Sequence, residues 1–454
     1  MSQLRYRSEK LSGWGRFPVE PCHLYRPEKR SDVRAILGSG QESSYIGRGL
    51  GRSYGDAALN RDAGTICPIR LNRFISFDER TAVLECECGV SLAEIIEYFL
   101  PRGFFLPVTP GTKFVTVGGA IAADVHGKNH HRDGTISGFL LDFRLLVSSG
   151  EVLACSRSEN CGAFWATVGG MGLTGFILSA RIRLRPVESA YVRVDHQRTH
   201  NLDETLNVMA ETDDGYQFSV AWLDCLARAD SLGRAVLIRG NHARAGDVPH
   251  TRGSPLSLPP RHRLKIPFDL PAWALNRAAV AAFNALYYRG HGDAARQLID
   301  LERFFYPLDA VGNWNRLYGK RGLAQYQVVV PENGGRQALA ALLQKLGSSH
   351  CAAFLAVLKR FGEGNPGLLS FPMRGYTLAV DLPVSRALGP FLHELDTIVL
   401  DCGGRVYLAK DAVMRPETFA ASYRKLDQFR EVKQKLDPNG LLSSSQARRL
   451  RIAG

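Results

Sequence analysis

Alternating apolar and polar residues predict short strands and single helices in the first part of the chain. Residues 81–88 alternate as in a half-buried strand, and residues 176–184 place every second apolar side chain on one face. Between them, Ser91 and Glu94 form a capping-box pattern, which predicts a helix that ends at about Leu100. This mixture of strands and helices predicts an α+β domain of modest size.

The pattern changes after Pro186. A helical pattern begins near Leu202, and an alanine-rich helical pattern at 272–288 follows a proline-rich segment. Strand and helix patterns then alternate and predict a second sheet, with strands at 325–330, 354–359 and 377–382 and helices at 335–346 and 389–400. The last fifty residues have a polar helical pattern at 418–435, and their sequence pattern resembles that of the opening part more than that of the inserted part. We therefore expect a first domain at 1–189, an inserted domain at 190–404 and a return of 405–454 to the first domain.

Composition narrows the classes of function. The chain has 454 residues, enough for a substantial core, and its 57 basic against 44 acidic residues give a net charge of +13. This balance favours anionic partners such as phosphates, nucleic acid or an acidic membrane face. The nine cysteines include no CxxC pair and no zinc spacing, so we expect a reducing cytoplasm and neither a disulfide framework nor a metal. Without an apolar leader or a run of 18 apolar residues, any membrane contact is expected to be peripheral.

Three glycine-rich runs indicate one extended anionic ligand that is contacted from several sides. They read IGRGLGRSYGD at 46–56, TPGTKFVTVGGAIAADVHGKNHH at 109–131 and WATVGGMGLTGF at 165–176. Glycine lets the backbone approach a ligand, and successive exposed N–H groups form a nest for a phosphate. A formal GxGxxG at 170–175 is followed by a strand pattern, whereas a nucleotide-binding Rossmann turn needs a helix there.

Motifs along nearly the whole chain resemble the flavoprotein family named after vanillyl-alcohol oxidase. They include RGLGRSYGD, VTVGGAIAADVHGKNHH, FWATVGGMGLTG, SVAWLD, QYQVVVP, LKRFG, VDLPV, YLAKD and DPNGLLSS, whereas residues 240–288 match poorly. Within the family, the match is to oxidases that act on polyprenyl-phosphoryl ribose. The resemblance implies an α+β fold in which a two-part FAD-binding domain of the PCMH type carries an inserted α+β substrate domain.

The resemblance also implies which residues contact FAD. By their places in the motifs, they are Gly47, Arg48, Gly49, Leu50, Gly51, Arg52, Ser53, Tyr54, Pro110, Gly111, Thr112, Thr116, Val117, Gly118, Gly119, Ala122, His126, Gly127, Asn129, His130, Gly170, Gly172, Gly175, Ile177, Tyr407 and Lys410. Relatives that bind flavin covalently have a histidine before the serine of the first loop. Because Arg52 stands at that place, we expect FAD to be bound non-covalently.

The same comparison of motifs implies Lys410, His126 and Tyr54 as catalytic residues. A cation at Lys410 would stabilise the reduced flavin and, if burial lowers its pKa, would also take the hydroxyl proton. For His126, direct catalysis and a hydrogen-bonding role beneath the flavin are both open. The substrate-binding residues that the resemblance implies are Trp222, Gln325, Gln327, Lys359, Thr377 and Ala379, with Lys359 as a candidate for binding a phosphate.

Two of these positions differ from the actinobacterial members of the family. Ala379 stands where those members have a cysteine, so the cysteine is not needed for the chemistry, and inhibitors that capture it would not react here. Thr377 stands where they have an asparagine, which leaves the finer sugar contacts open.

If the resemblance extends to the substrate, the chain oxidises the 2′-hydroxyl of a polyprenyl-phosphoryl-β-D-ribose. A separate short-chain dehydrogenase would then reduce the ketone to the arabinose form. The enzyme would be cytoplasmic and would visit the inner face of the membrane, because a long isoprenoid stays in the bilayer. The poorly matching stretch at 240–288 either packs as a helix on its own domain or offers a membrane-docking surface made of Arg261, Arg263, Lys265, Trp273 and Phe283.

Three other functions are compatible with parts of the sequence. An aldonolactone or alditol oxidase would carry the loop histidine or, in lactone oxidases, a C-terminal HWGK, and neither is present. A basic nucleic-acid-binding protein would need a basic run interleaved with aromatic residues or a known module, and none is found. A flavin-binding protein without turnover would have the same glycine-rich runs.

Overall fold

The computed structural model describes residues 5–260, 264–271, 276–349, 353 and 355–453. Its N-terminal part mixes strands and short helices, as predicted. The strands are β1 Arg7–Ser12, β2 Val19–Tyr25, β3 Tyr45–Gly47, β4 Gly64–Ile66, β5 Phe74–Asp78, β6 Val83–Glu87, β7 Phe104–Phe105, β8 Leu140–Leu146, β9 Val152–Ser156, β10 Phe176–Arg183 and β11 Arg185–Pro186. The helices are α1 Arg30–Leu37, α2 Leu92–Phe99, α3 Val117–Ala122, α4 His130–Asp133 and α5 Cys161–Thr167.

Two sheets organise this part: a mixed one in the order β1-β2-β4-β3, and an antiparallel one in the order β5-β6-β10-β8-β9. The strands predicted at 81–88 and 176–184 are confirmed as β6 and β10. The capping box is also confirmed: the Glu94 N–H donates to Ser91 Oγ at 3.1 Å, and the Ser91 N–H donates to the Glu94 carboxylate at 2.8 Å. The α2 helix that follows buries Leu92, Ile95, Ile96 and Phe99 in the core.

The rest of the chain forms a second set of elements. Its strands are β12 Tyr191–Thr199, β13 Phe218–Leu223, β14 Ala235–His242, β15 Leu264–Lys265, β16 Ala294–Asp300, β17 Val311–Gly312, β18 Leu323–Pro331, β19 Ala356–Phe361, β20 Gly375–Pro383 and β21 Arg405–Val406. Its helices are α6 Leu202–Thr212, α7 Arg277–Gly290, α8 Leu301–Phe305, α9 Glu332–Ser348, α10 Leu388–Asp401, α11 Pro416–Ser422, α12 Leu426–Leu436 and α13 Ser445–Arg449. The alanine-rich helix predicted at 272–288 is α7 from Arg277 onwards, and residues 272–275 lie outside the described part.

Among the described residues, an antiparallel sheet in the order β16-β12-β14-β13-β19-β20-β18-β21 dominates this part. It confirms the predicted second sheet, although Phe354 of the strand predicted at 354–359 lies outside the described residues. One face of the sheet packs against α9 and α10 through Ala324, Tyr326, Val328, Leu378, Val380 and Leu382. Because successive side chains of a strand point to opposite faces, the intervening polar residues share the other face.

The helices follow the predictions with one exception. The regular part of α9 begins at Gly335, as predicted, after a non-helical step. The polar helix predicted at 418–435 is wrong as a single helix, because the chain leaves helical angles at Tyr423, with φ −106° and ψ 79°. The Tyr423 side chain is buried and donates to the Val406 carbonyl oxygen at 2.7 Å, so its packing divides the segment into α11 and α12.

The C-terminal segment contacts the N-terminal part. The Tyr45 N–H donates to the Leu441 carbonyl oxygen at 2.7 Å. The Arg449 guanidinium bridges two carboxylates, Asp56 at 2.7 Å and Asp411 at 2.8 Å. The predicted domain boundaries at residues 189 and 404 stay a prediction.

Candidate active site

The first glycine-rich run forms a loop with unused backbone N–H groups. Gly51 has φ +65°, a backbone conformation that side chains rarely adopt, and a Cβ atom on Gly55 would lie 1.8 Å from the Asp411 carbonyl oxygen. The N–H groups of residues 49–53 donate to no acceptor among the residues that the structure describes. Successive free donors of this kind form a binding site for an oxyanion such as phosphate.

Tyr54 joins the end of this loop to the segment after β21. Its N–H donates to the Ala409 carbonyl oxygen at 3.0 Å, and the Lys410 ammonium nitrogen lies 4.2 Å from the centre of its ring. Burial and the nearby charge of Asp381 raise the pKa of the Tyr54 phenol well above its ordinary value. The phenol therefore stays neutral and serves as a hydrogen-bonding group.

His126, from the second glycine-rich run, lies against the polar face of the large sheet. The Gln327 amide nitrogen is 3.0 Å from His126 Nε2 and 3.2 Å from the Thr377 hydroxyl oxygen. Because an amide nitrogen only donates, Nε2 accepts, and the ring proton is on Nδ1, which is buried without a partner among the described residues. Burial, with the positive charge of Lys359, holds the pKa of His126 well below its usual range, so the ring is neutral.

The polar face of the sheet gathers most of the predicted substrate residues. Across β18 and β20, Gln325 pairs with Asp381 and Gln327 with Ala379, and across β19 and β20, Lys359 pairs with Thr377. Paired residues on adjacent strands share a face, so these six side chains point the same way. The contact between Gln327 and His126 shows that this face turns towards the second glycine-rich run.

Three partly buried lysines give this region a positive charge. Burial lowers the pKa of Lys359 to about 8 and that of Lys410 to about 8, and burial together with Lys359 lowers the pKa of Lys128 to about 7. Lys128 donates to the Phe304 carbonyl oxygen. Within the described part of the chain, neither Lys359 nor Lys410 has an ion-pair partner. An anion placed between these amines would be attracted to them and would raise their pKa values.

Asp381 is the acidic group that faces this cluster. It is 0% exposed, and its Oδ1 accepts a hydrogen bond from Gln325 Nε2 at 2.6 Å, while Oδ2 has no partner among the described residues. Burial raises the pKa of the Asp381 carboxyl to about 7. The same Gln325 nitrogen is 3.4 Å from the Tyr54 hydroxyl oxygen, so one amide connects the carboxyl to the glycine-rich loop.

Comparison with known proteins identifies the class of ligand for this site. Residues 21–156 match a family model described as FAD binding domain, and residues 327–450 match one described as D-arabinono-1,4-lactone oxidase. Over 451 residues, 98% of each chain, the sequence is 39% identical to the decaprenylphosphoryl-beta-D-ribose oxidase of Mycolicibacterium smegmatis. The chain belongs to the FAD-binding oxidases of the vanillyl-alcohol oxidase type.

Other relatives of this FAD-binding oxidase differ in their sequence identity to it. An uncharacterized protein in the mprA 5′ region of Streptomyces coelicolor is 36% identical over 372 residues, which are 80% of this chain and 100% of that protein. The L-gulonolactone oxidase of Mus musculus is 22% identical over 465 residues, 97% of this chain and 98% of its own length. The family makes the chain a FAD-dependent oxidase that acts on CH–OH groups of alcohols or lactones, and the predicted fold, FAD cofactor and enzyme class are confirmed.

The residues of the site fit FAD. The free N–H groups of residues 49–53 suit its diphosphate. Two buried nitrogens that have no partner in the described part of the chain, His126 Nδ1 and Arg52 Nε, suit acceptor atoms of its ring system. The Arg52 guanidinium carbon lies 4.0 Å from the centre of the Trp14 ring, so this side chain is held in place by packing. Non-covalent attachment of the FAD stays a prediction.

The predicted FAD residues lie in neighbouring parts of the structure. The first loop contains Gly47, Arg48, Gly49, Leu50, Gly51, Arg52, Ser53 and Tyr54. Helix α3 and the segment before it contain Pro110, Gly111, Thr112, Thr116, Val117, Gly118, Gly119 and Ala122, and the segment after α3 contains His126, Gly127, Asn129 and His130. The start of β10 and the segment before it contain Gly170, Gly172, Gly175 and Ile177, and the segment after β21 contains Tyr407 and Lys410. A Cβ atom on Gly49 would lie 2.3 Å from Thr116 Oγ1, so the first loop touches the start of α3. The Met171 N–H donates to the Ala122 carbonyl oxygen at 2.9 Å, which joins the third run to the second.

Some predicted side chains are already used within the protein. Arg48 donates to the Ser12 carbonyl oxygen at 2.7 Å, and Asn129 donates to the Pro107 carbonyl oxygen at 2.8 Å. Trp222 shares the polar face of the sheet but packs against Tyr287 of α7, with ring centres 4.4 Å apart. In this structure, these three side chains therefore stabilise the loops and the sheet around the site.

Sequence reasoning missed three polar groups of the site: Asp381, Lys128 and Tyr318. The Tyr318 hydroxyl is buried without a partner among the described residues, and the charge of Asp381 acts on it. For Asp381, a signal was present, because the alternation of β20 places it on the same face as Thr377 and Ala379. No local pattern indicates Lys128 or Tyr318, whose positions depend on the packing of distant segments.

Proposed function

We propose that this FAD-dependent oxidase oxidises the 2′-hydroxyl of a polyprenyl-phosphoryl-β-D-ribose to a ketone. The observation that carries the proposal is the 39% identity, over 98% of both chains, to a protein named for decaprenylphosphoryl-beta-D-ribose. The gulonolactone oxidase covers a similar share of the chain at 22% identity. The substrate of the relative with the higher sequence identity is therefore the better basis for proposing the substrate of this chain.

The polar face of the sheet has groups for each part of this reaction. Bound FAD supplies the acceptor for the hydride that leaves the sugar carbon. Lys410 takes the hydroxyl proton, because its pKa of about 8 leaves part of the amine neutral near pH 7 to 8. Gln325 and Gln327 orient the sugar, while His126 donates through Nδ1 and keeps its ring neutral. Tyr54 holds the Lys410 amine against its ring.

The substrate phosphate would be bound by Lys359 and Lys128. The pKa of Lys128 is lowered in part by the charge of Lys359, so the two amines lie near each other. Two cations without a carboxylate partner in the described part of the chain form an anion site and not a structural ion pair. A neutral lactone or alditol would leave these buried charges uncompensated.

A second candidate is an aldonolactone oxidase. It is favoured by the match of residues 327–450 to the D-arabinono-1,4-lactone oxidase family model. Both functions share hydride transfer from a sugar carbon, and they differ in the charge and size of the substrate.

Anaerobic mixing with candidate substrates separates the two. We expect the purified protein to be yellow, and polyprenyl-phosphoryl ribose to bleach the flavin absorbance, while D-arabinono-1,4-lactone and free alditols do not. Acid precipitation should leave the flavin in the supernatant, because Arg52 stands where a covalent histidine would be. Bleaching by the lactone alone would replace the first candidate with the second, and flavin in the pellet would contradict non-covalent binding.

The ketone product would need a second enzyme to complete an epimerisation. We propose a separate short-chain dehydrogenase as that partner, since reduction from the opposite face of the sugar gives the arabinose form. The product of the oxidase would then pass from one active site to the other while its isoprenoid chain stays in the lipid.

We also propose that the oxidase works from the cytoplasm at the inner face of the membrane. No helix in the described part of the chain is long and apolar enough to span a bilayer. Leu264 and Phe268 are 71% and 63% exposed, and Lys265, next to Leu264 in the chain, is exposed. Leu286 on α7 is 71% exposed. Of the residues predicted for docking, Arg261, Arg263 and Trp273 lie outside the described part. Exposed apolar side chains beside a cation suit the surface of an anionic bilayer.

Flotation with vesicles tests this surface. We expect the protein to float with vesicles that contain anionic lipid, and to lose most of this binding when Leu264, Phe268 and Leu286 are changed to serine together. The matched control is Ile75→Ser, because Ile75 is 43% exposed on β5 in the N-terminal part. Equal binding of the triple variant and the control would show that the membrane contact lies elsewhere.

A further inference from the structure

Asp381 is a buried carboxyl that has no direct cationic partner among the described residues. Its side chain is 0% exposed, one oxygen accepts from Gln325 at 2.6 Å, and the other oxygen has no partner in the described part of the chain. Burial of such a group costs free energy unless a charge nearby compensates for it. A buried, incompletely paired carboxyl in a polar site is a candidate for a role in that site.

Among the residues that the structure describes around Asp381, one cation acts on its carboxyl. Tyr54 from the glycine-rich loop and Tyr318 from the segment before β18 are neutral phenols that its charge reaches, and Gln325 of β18 is uncharged. Lys410, after β21, lies on the other side of Tyr54: its amine is 4.2 Å from the centre of the Tyr54 ring, and the Tyr54 hydroxyl oxygen is 3.4 Å from the Gln325 nitrogen that donates to Asp381. The charge of Lys410 acts on the Asp381 carboxyl across this short distance. Lys359 of β19 and His126 are the further groups that interact with Lys410.

We propose that Asp381 is the counter-charge of Lys410 and sets up its amine as the acceptor of the substrate's hydroxyl proton. This role rests on the proposed function. When the O–H bond breaks, its proton goes to the Lys410 nitrogen. Bound oxidised FAD would supply the acceptor for the hydride of the neighbouring C–H bond, and the carbon would become a ketone. The Asp381 carboxylate stabilises the ammonium that has formed, so Asp381 is a positioning residue that acts through Lys410.

Opposing effects on the pKa of Lys410 predict the direction of a pH shift that can be measured. The Asp381 carboxylate raises the pKa of Lys410, whereas burial and Lys359 lower it. Removal of the carboxylate therefore lets the pKa of Lys410 fall. In Asp381→Asn, the rise of the flavin reduction rate with pH should move to lower pH by about one unit, because an opposite charge nearby shifts a pKa by that order. The asparagine still accepts from Gln325, so the hydrogen bond is kept.

A double-variant cycle on the holoenzyme measures the coupling without substrate. Melting temperatures of wild type, Asp381→Asn, Lys410→Met and the double variant are compared at pH 5 and at pH 7.5, with flavin in constant excess. At pH 5, the Asp381 carboxyl is protonated, since its pKa is about 7. The changes in melting temperature of the two single variants should then add in the double variant. At pH 7.5, the carboxylate and the ammonium interact, and the shifts should not add.

Asp396→Asn is the matched control. Asp396 has a carboxyl pKa raised to about 7 by burial and accepts from the Tyr326 hydroxyl at 2.8 Å, and Tyr326 points to the opposite face of the sheet. Its removal should change stability with pH, but it should leave both the coupling to Lys410 and the pH profile of flavin reduction unchanged.

Two results would overturn the proposal: shifts that add at both pH values, or a pH profile that Asp381→Asn leaves in place. If Asp381→Asn does not fold, the smaller Asp381→Ser replaces it in the cycle. Failure of the proposed function looks different. In that case, no glycosyl phospholipid reduces the wild-type flavin, while the melting cycle still reports whether the carboxyl and the amine are coupled.

Discussion

Lys410→Met should lower the rate of flavin reduction by polyprenyl-phosphoryl ribose by about 10³-fold, within the range expected for loss of a general acid–base group. The amine lies 4.2 Å from the Tyr54 ring and has a pKa of about 8, so its removal takes away both the proton acceptor and a cation. FAD should stay bound, because the free N–H groups of residues 49–53 are unaffected. Stopped-flow absorbance under anaerobic conditions measures the rate, and the visible spectrum measures the flavin content.

Lys359→Met is the matched control for this result. Lys359 has the same side chain, a pKa lowered to about 8 and a place on the same face of the sheet. If it binds the phosphate, its loss should raise the substrate concentration at half-maximal rate and leave the limiting rate within a few-fold. A limiting rate that falls equally in both variants would show that Lys410 contributes only charge and takes no proton.

Arg449→Met should destabilise the protein by about 3–5 kcal/mol, the range measured when one partner of a buried ion pair is removed. Arg449 bridges Asp56 and Asp411, whose side chains are 6% and 2% exposed, so both carboxylates would be left buried without a cation. Burial already raises the pKa of Asp56. Arg449 opposes this effect and lowers the pKa of Asp56, so its removal raises that pKa further. Because a raised folded-state pKa makes stability fall as pH rises from the unfolded value towards the folded one, the defect should be larger at pH 8 than at pH 5.

Arg374→Met controls for the loss of an arginine that bridges two carboxylates. Arg374 pairs with Glu332 and Glu363, but the three side chains are 59%, 41% and 77% exposed. Exposed pairs contribute about 0–1 kcal/mol, so this variant should unfold at nearly the wild-type denaturant concentration. Both unfolding curves can be followed by tryptophan fluorescence, and similar curves for the two variants would contradict a structural role for the Arg449 bridge.

The sequence predicted most of the fold because the relevant signals are local. Alternation predicted β10, β18 and β20, and the Ser91 capping box predicted the start of α2. The prediction of one polar helix at 418–435 was wrong because the hydrogen bond of Tyr423 to Val406 is a tertiary contact. Helical periodicity in that segment contains no information about it.

The candidate site was predicted less completely, for a similar reason. Motifs indicated Lys410, His126 and the glutamines, but which groups meet depends on the register of β18, β19 and β20. That register brings Asp381 opposite Gln325, and the second oxygen of Asp381 has no partner among the described residues. Likewise, the use of Arg48 by the Ser12 carbonyl oxygen can be seen only when the folded loop is known.

The bridge from Arg449 to Asp56 joins residues that are 393 positions apart. During translation, the loop that ends at Asp56 leaves the ribosome long before its arginine does. The nascent polypeptide must therefore be synthesised as far as Arg449 before this side chain can connect the glycine-rich loop to the segment that contains Lys410. Premature termination near residue 440 would release a polypeptide that contains both carboxylates, Asp56 and Asp411, but lacks the arginine that bridges them, and we expect quality-control proteases to degrade it.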